Sequence, residues 1–129
     1  MKNLLKEINS CKNQSKAKLL QGFFKTAKGE YGEGDIFLGI VVPKQREIAN
    51  KYNLSLNEIQ SLLNSKIHEQ RMIALFILVK KYKKSNEEIK EKIFNFYLKN
   101  TKNINNWDLV DLSSRDIVGN YLLNREKKI

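Results

Sequence analysis

The chain's single tryptophan, Trp107, stands four residues before Asp111. On a helix that spacing puts both side chains on one face, one turn apart. An indole offers a flat, electron-rich surface for stacking or cation–π contact with a positively charged base. A carboxylate beside it can stabilise a cationic sugar in a transition state or orient a water. The same residues also suit a structural arrangement, in which Trp107 packs into the core and Asp108 or Asp111 meets nearby backbone or Arg115. Spacing alone leaves both open.

Other chemistry-bearing residues are sparse. The chain has one cysteine, Cys11, and one histidine, His68. One cysteine forms no internal disulfide and fits a reduced compartment, and Cys11 reads as a bystander. One Cys and one His do not make a tetrahedral zinc site, so neither metal nor cofactor is expected. Residues 26–42 hold four of the six glycines but also Glu30, Glu33 and Asp35. Those carboxylates oppose the phosphate binding that a glycine-rich loop otherwise suggests. His68 reads as solvated or capping, and Glu69 and Arg71 as organisers of neighbouring helices. Lys80, Lys81, Lys83 and Lys84 suit the negative end of a helix dipole, with phosphate contact as the alternative.

Composition narrows the partners. The chain has 129 residues, 41% hydrophobic and 29% charged, and a formal net charge of +10. This is globular in character and long enough for one domain, here residues 1–129. A basic balance favours an anionic partner, most simply nucleic acid. Twenty of the 24 basic residues are Lys, however, and an AT-rich genome produces that bias without function. The apolar run over residues 73–79 has seven residues, well short of the ~18 that span a bilayer. The N-terminus lacks the apolar stretch of a signal peptide, so a soluble cytoplasmic protein is expected.

The elements that would position these residues are helices. One proline and no strict alternation argue against a sheet. Leu4, Leu5 and Ile8 mark a first helix, and Ala17, Leu20 and Phe24 a second over residues 14–25. Pro43 suits the first turn of a third, with Ile48, Ala49 and Tyr52 inward. Ser55 to Glu58 reads as a capping box opening a fourth, with Ile59, Leu62 and Leu63. A fifth, over 67–83, is apolar on most sides and is expected to be the most buried. A second capping box, Ser85 to Glu88, opens a sixth with Ile89, Ile93, Phe96 and Tyr97 inward. A polar linker, 100–105, leads to a final helical stretch holding Trp107, Val110, Ile117, Val118, Tyr121 and Leu122. Helix pairs recurring every 35–45 residues have the period of a HEAT-like repeat. The expected fold is all-α, a right-handed stack of antiparallel helix pairs, with a helical bundle as the alternative.

Three segments give this reading a family. The first runs Tyr31-Gly32-Glu33-Gly34-Asp35-Ile36-Phe37-Leu38-Gly39-Ile40, followed by Pro43 and Arg46. The second is His68-Glu69-Gln70-Arg71-Met72-Ile73-Ala74-Leu75. The third is Asn106-Trp107-Asp108-Leu109-Val110-Asp111, with Ile117-Val118-Gly119 after it. In this order and at these separations they resemble the DNA alkylation-repair glycosylases of the AlkD type, built from HEAT-like repeats. Each motif alone is weak, and the ordered set spans nearly the whole chain.

The resemblance implies hydrolysis of the N-glycosidic bond of N3- or N7-alkylated purines in double-stranded DNA, without a cofactor. It matches the family's catalytic Asp to Asp111 and its neighbouring Trp to Trp107. Tyr31, Phe37, Arg46 and Arg115 are the further residues expected to meet DNA. The family's active site also uses an Arg and a second Trp well downstream, whereas this chain stops eighteen residues after Asp111. The match is therefore to the N-terminal part of a longer fold, and a truncated solenoid end is expected to self-associate. A non-catalytic helical-repeat module that binds DNA or protein is the alternative function.

Overall fold

A computed structural model describes residues 1–23, 36–103 and 115–127. The described residues are helical, without strands, in an all-α helical repeat fold. In chain order they form α1 (Lys2–Ser10), α2 (Gln14–Phe23), α3 (Val42–Asn50), α4 (Leu56–Leu63), α5 (His68–Lys83) and α6 (Glu87–Lys99). A 3₁₀ turn (Thr101–Asn103), a π-helical turn (Arg115–Gly119) and α7 (Asn120–Lys127) follow. None of these helices is long and apolar enough to cross a membrane.

α5 is the hub. Every residue from Arg71 to Val79 is buried, because α3 and α4 pack on it and α6 and the π-helical turn also touch it. A helix surrounded this way needs no apolar stripe, which is why its apolar residues fall on all sides. Each large apolar side chain here contributes roughly 1.5–3 kcal/mol by burial. That exceeds the few tenths of a kcal/mol that β-branched Ile73, Ile77 and Val79 cost in helix propensity, so packing decides for helix.

The ends of the elements follow side-chain chemistry. Ser55 Oγ accepts the Glu58 N–H at 3.2 Å, and Glu58 Oε1 accepts the Ser55 N–H at 3.1 Å. These reciprocal bonds are the capping box expected at α4. The expected Ser85–Glu88 box does not form, and a single side-chain cap one residue later takes its place. Asn86 is the N-cap of α6, with its Oδ1 accepting from the Ile89 N–H at 3.0 Å. Ser85 instead donates its hydroxyl to Lys81 O at 2.7 Å, which commits it to the end of α5. Pro43 sits in the first turn of α3, where its missing N–H has no helical partner to lose.

Two further expectations change. His68 is buried, its ring stacked 4.4 Å from that of Phe37, and so is neither solvated nor an N-cap; Ile67 occupies that position. The linker after α6 is partly helical: Asn100 closes α6 and Thr101–Asn103 form the 3₁₀ turn. Along α2, none of residues 14–20 is fully buried, and Leu19 is 74% exposed. Leu122 and Leu123 of α7, in the part of the chain expected to self-associate, are about half exposed.

Candidate functional site

Two sequence motifs far apart in the chain form one structural unit. Ile36 and Ile67 make a parallel bridge, Ile36 N–H donating to Lys66 O and His68 N–H to Ile36 O, both at 2.8 Å. One residue on, the Glu69 carboxylate accepts the N–H groups of Leu38 at 2.9 Å, Gly39 at 2.9 Å and Ile40 at 3.2 Å. A buried carboxylate costs several kcal/mol unless hydrogen-bonded; here three backbone donors satisfy it. The 36–40 segment is thus fastened to the N-terminal turn of α5. Gly39 has φ of +83°, and a Cβ there would lie 2.0 Å from Asn13 O. Only glycine fits this passage between the start of α2 and Glu69. Glu69 organises its surroundings as expected, and the neighbour it organises is a loop.

Beside this unit lies an apolar groove of about 290 Å³, between Leu19 and Leu20 of α2 and Val41, Val42 and Phe37. Phe37 is buried and lines the groove, so it packs the segment down against His68 as well as facing this opening. Arg46 is exposed on α3, its guanidinium 4.5 Å from the centre of the Phe76 ring. That cation–π contact holds the side chain in place, and among the described residues no ion pair engages its planar fork.

Trp107, Asp111 and Tyr31 lie outside the described residues. Arg115 opens the π-helical turn. The described residues on either side of 104–114 are firmly held. Upstream, Gln60 of α4 and Asn100 exchange two amide hydrogen bonds, Nε2 to Oδ1 at 2.7 Å and Nδ2 to Oε1 at 2.9 Å. Asn103 extends this network, donating to Asn100 Oδ1 at 3.1 Å and Asn64 Oδ1 at 3.3 Å. Downstream, Ile117 is fully buried, Tyr121 stacks on Phe94 at 4.3 Å, and Tyr82 Oη donates to Asn120 Oδ1 at 3.1 Å. The π-helical turn begins four residues after Asp111; such widened turns recur at functional sites because they re-aim side chains.

Sequence reasoning missed this amide network. Asn100 and Asn103 fall in the expected polar linker, and nothing in the spacing of Gln60 and Asn64 distinguishes them from other polar residues. It also missed the role of Lys80, whose ammonium donates to Ala49 O at 3.1 Å and Tyr52 O at 2.8 Å. Those carbonyls lie at and just beyond the C-terminal end of α3, where no intrahelical donor remains. Among the described residues no three His, Cys, Asp or Glu side chains converge as metal ligands.

No curated protein and no solved structure matches the chain. The family model described as DNA alkylation repair enzyme matches residues 4–129, a span that includes the fastened 36–40 and 68–75 segments and both anchored flanks of 104–114. The chain belongs to the DNA alkylation repair enzyme family.

Proposed function

We propose that the protein is a monofunctional DNA glycosylase that releases N3- and N7-alkylated purines from duplex DNA. Residues 1–129 would act as one HEAT-like domain in the cytoplasm, consistent with the unpaired thiol of Cys11. The observation that carries this reading is the family match over residues 4–129. The formal charge of +10 supports a polyanionic substrate.

The chemistry asks little of the protein. An N7-alkylated purine is cationic, so the C1′–N9 bond breaks with its electron pair moving into the base, which leaves neutral. The positive charge then sits on the deoxyribose. Asp111 is assigned to stabilise that sugar cation and to orient the water that adds to C1′ and loses a proton. Trp107 is assigned to stack against the lesion nucleotide, where a cationic base strengthens the contact. Tyr31, Arg46 and Arg115 are assigned to the DNA around the lesion, and Phe37 to the wall that supports it.

The test is release of 7-methylguanine from methylated duplex DNA by the chain and by Asp111→Asn. The variant is expected to release base about 10- to 100-fold more slowly, at the low end for loss of an electrostatic group, because the cationic base leaves readily. Equal rates for the two proteins would remove Asp111 from the chemistry. Salt-dependent binding with no release by either would make the chain a DNA-binding module.

A further inference from the structure

A cavity of about 310 Å³ opens at the C-terminal end of α5, its polar lining being Lys80, Lys81, Lys84, Ser85 and Asn53 beside the apolar Leu54 and Ile77. Three of these are cations and none of the lining residues is a carboxylate. Residues 80, 81, 84 and 85 share one face through their three- and four-residue spacings. Two partial explanations account for the cluster only in part. The helix dipole favours cations here, and Lys80 caps α3. Yet the Lys80 hydrogen bonds leave Lys81 and Lys84 with no ion pair among the described residues. Lys80 is held below the usual lysine range by burial and then by the charge of Lys84. Among the described residues, no ion pair neutralises the lysine charges gathered at this cavity.

We propose that this cavity is a phosphate-binding site. Lys81 and Lys84 supply the charge, the Asn53 amide supplies a neutral donor, and the fixed Lys80 ammonium forms the floor. Ser85 donates its hydroxyl to Lys81 O and so shapes the site without donating into it. Lysine suits a phosphate as a point charge that adapts to its tetrahedral oxygens. The phosphate oxygens come from the duplex DNA backbone or from a free phosphate. The backbone source rests on the DNA-repair reading and adds to it an anchor that carries no lesion specificity.

The test compares the protein with Lys81→Gln/Lys84→Gln, and with Lys2→Gln/Lys6→Gln, which removes equal charge from the exposed face of α1. Affinity for undamaged duplex DNA is measured across salt concentrations, and amide resonances of residues 80–85 are followed as pyrophosphate is added. The backbone source predicts a several-fold loss of affinity and a salt slope smaller by about one for the first variant beyond the control. The free-phosphate source predicts equal DNA binding by both variants, with pyrophosphate shifts at 80–85 that vanish in Lys81→Gln/Lys84→Gln. Equal DNA binding by both variants and no pyrophosphate shifts would overturn the proposal. Because the DNA is undamaged, these results stand apart from whether Asp111 supports base release.

Discussion

The Glu69 carboxylate accepts the N–H of Gly39 at 2.9 Å across thirty residues of sequence. This bond and its neighbours at Leu38 and Ile40 decide where the 36–40 segment runs. Glu69→Gln keeps the shape but turns one acceptor oxygen into a donor that faces N–H groups. Leaving a buried donor unmade costs about 1–3 kcal/mol, and that loss is expected in urea unfolding. Gly39→Ala is expected to cost more, because its Cβ would lie 2.0 Å from the Asn13 carbonyl oxygen and its φ is positive. A Gly39→Ala protein as stable as the parent would show that the passage is not tight.

Gln60 and Asn100 join α4 to the end of α6 by two amide hydrogen bonds. Asn100 is almost wholly buried and also donates to Phe96 O at 2.9 Å. Asn100→Ala is therefore expected to lower stability by about 1–3 kcal/mol. The network ends at Asn103, just before 104–114, so loosened anchoring is expected to reduce base release more than stability alone explains. Base release measured well below the melting temperature separates the two. Unchanged release would leave the network a purely structural clamp.

The sequence carried the helical fold well where burial has a period. The inward residues Leu4, Ile8, Ile48, Ile59, Leu62, Leu63, Ile93 and Tyr97 are all buried, because a helix on a surface must place its apolar residues three and four apart. α5 was legible as the most buried element from its lack of a polar face. What stayed hidden depends on partners distant in sequence. His68 looks polar in isolation and is buried because Phe37 comes to it. Gln60 and Asn100 look solvated until α4 and α6 face each other. Ser85 and Asn86 compete for one cap, and Ser85 lost because the Lys81 carbonyl took its hydroxyl. For the proposed site, Trp107 and Asp111 stand out only through the ordered motifs around them, since a Trp and an Asp one turn apart suit a core as well as an active site.

A pH dependence follows from Glu7. The Lys51 ammonium at 2.8 Å, and then the Tyr52 hydroxyl at 2.9 Å, hold its carboxyl below the ordinary carboxylate value of 4.5. The folded value lies below the unfolded one, so the contact stabilises the protein above the unfolded value. That stabilisation is lost as pH falls through the folded value. Glu7→Gln is expected to flatten the acid limb of the stability curve while changing little between pH 6 and pH 8 beyond a small constant offset, since the pair is near the surface. Acid limbs that superimpose for the two proteins would show that α1 is not tethered to α3 through this group.

Lys80 gives the opposite sign. Burial, and then Lys84, lower its ammonium from the usual 10.5, so the unfolded chain binds this proton more tightly than the folded one. Stability from this group therefore rises with pH between the folded and unfolded values. At neutral pH the two short bonds to Ala49 O and Tyr52 O oppose the cost of burying the charge. Charge-assisted hydrogen bonds contribute about 1.5–3 kcal/mol each, and desolvation offsets part of that. Lys80→Met keeps the stem and removes the donors, and is expected to cost about 1 kcal/mol at pH 7 by taking the side-chain donor from the Ala49 and Tyr52 carbonyls. The parent's advantage is expected to widen towards pH 10, because its remaining amine still donates to the carbonyls without the buried charge. Comparing the two proteins cancels the other lysines, which titrate in both. A difference that stays flat or narrows from pH 7 to pH 10 would mean that the ammonium is well solvated and that the cap does not carry a desolvation cost.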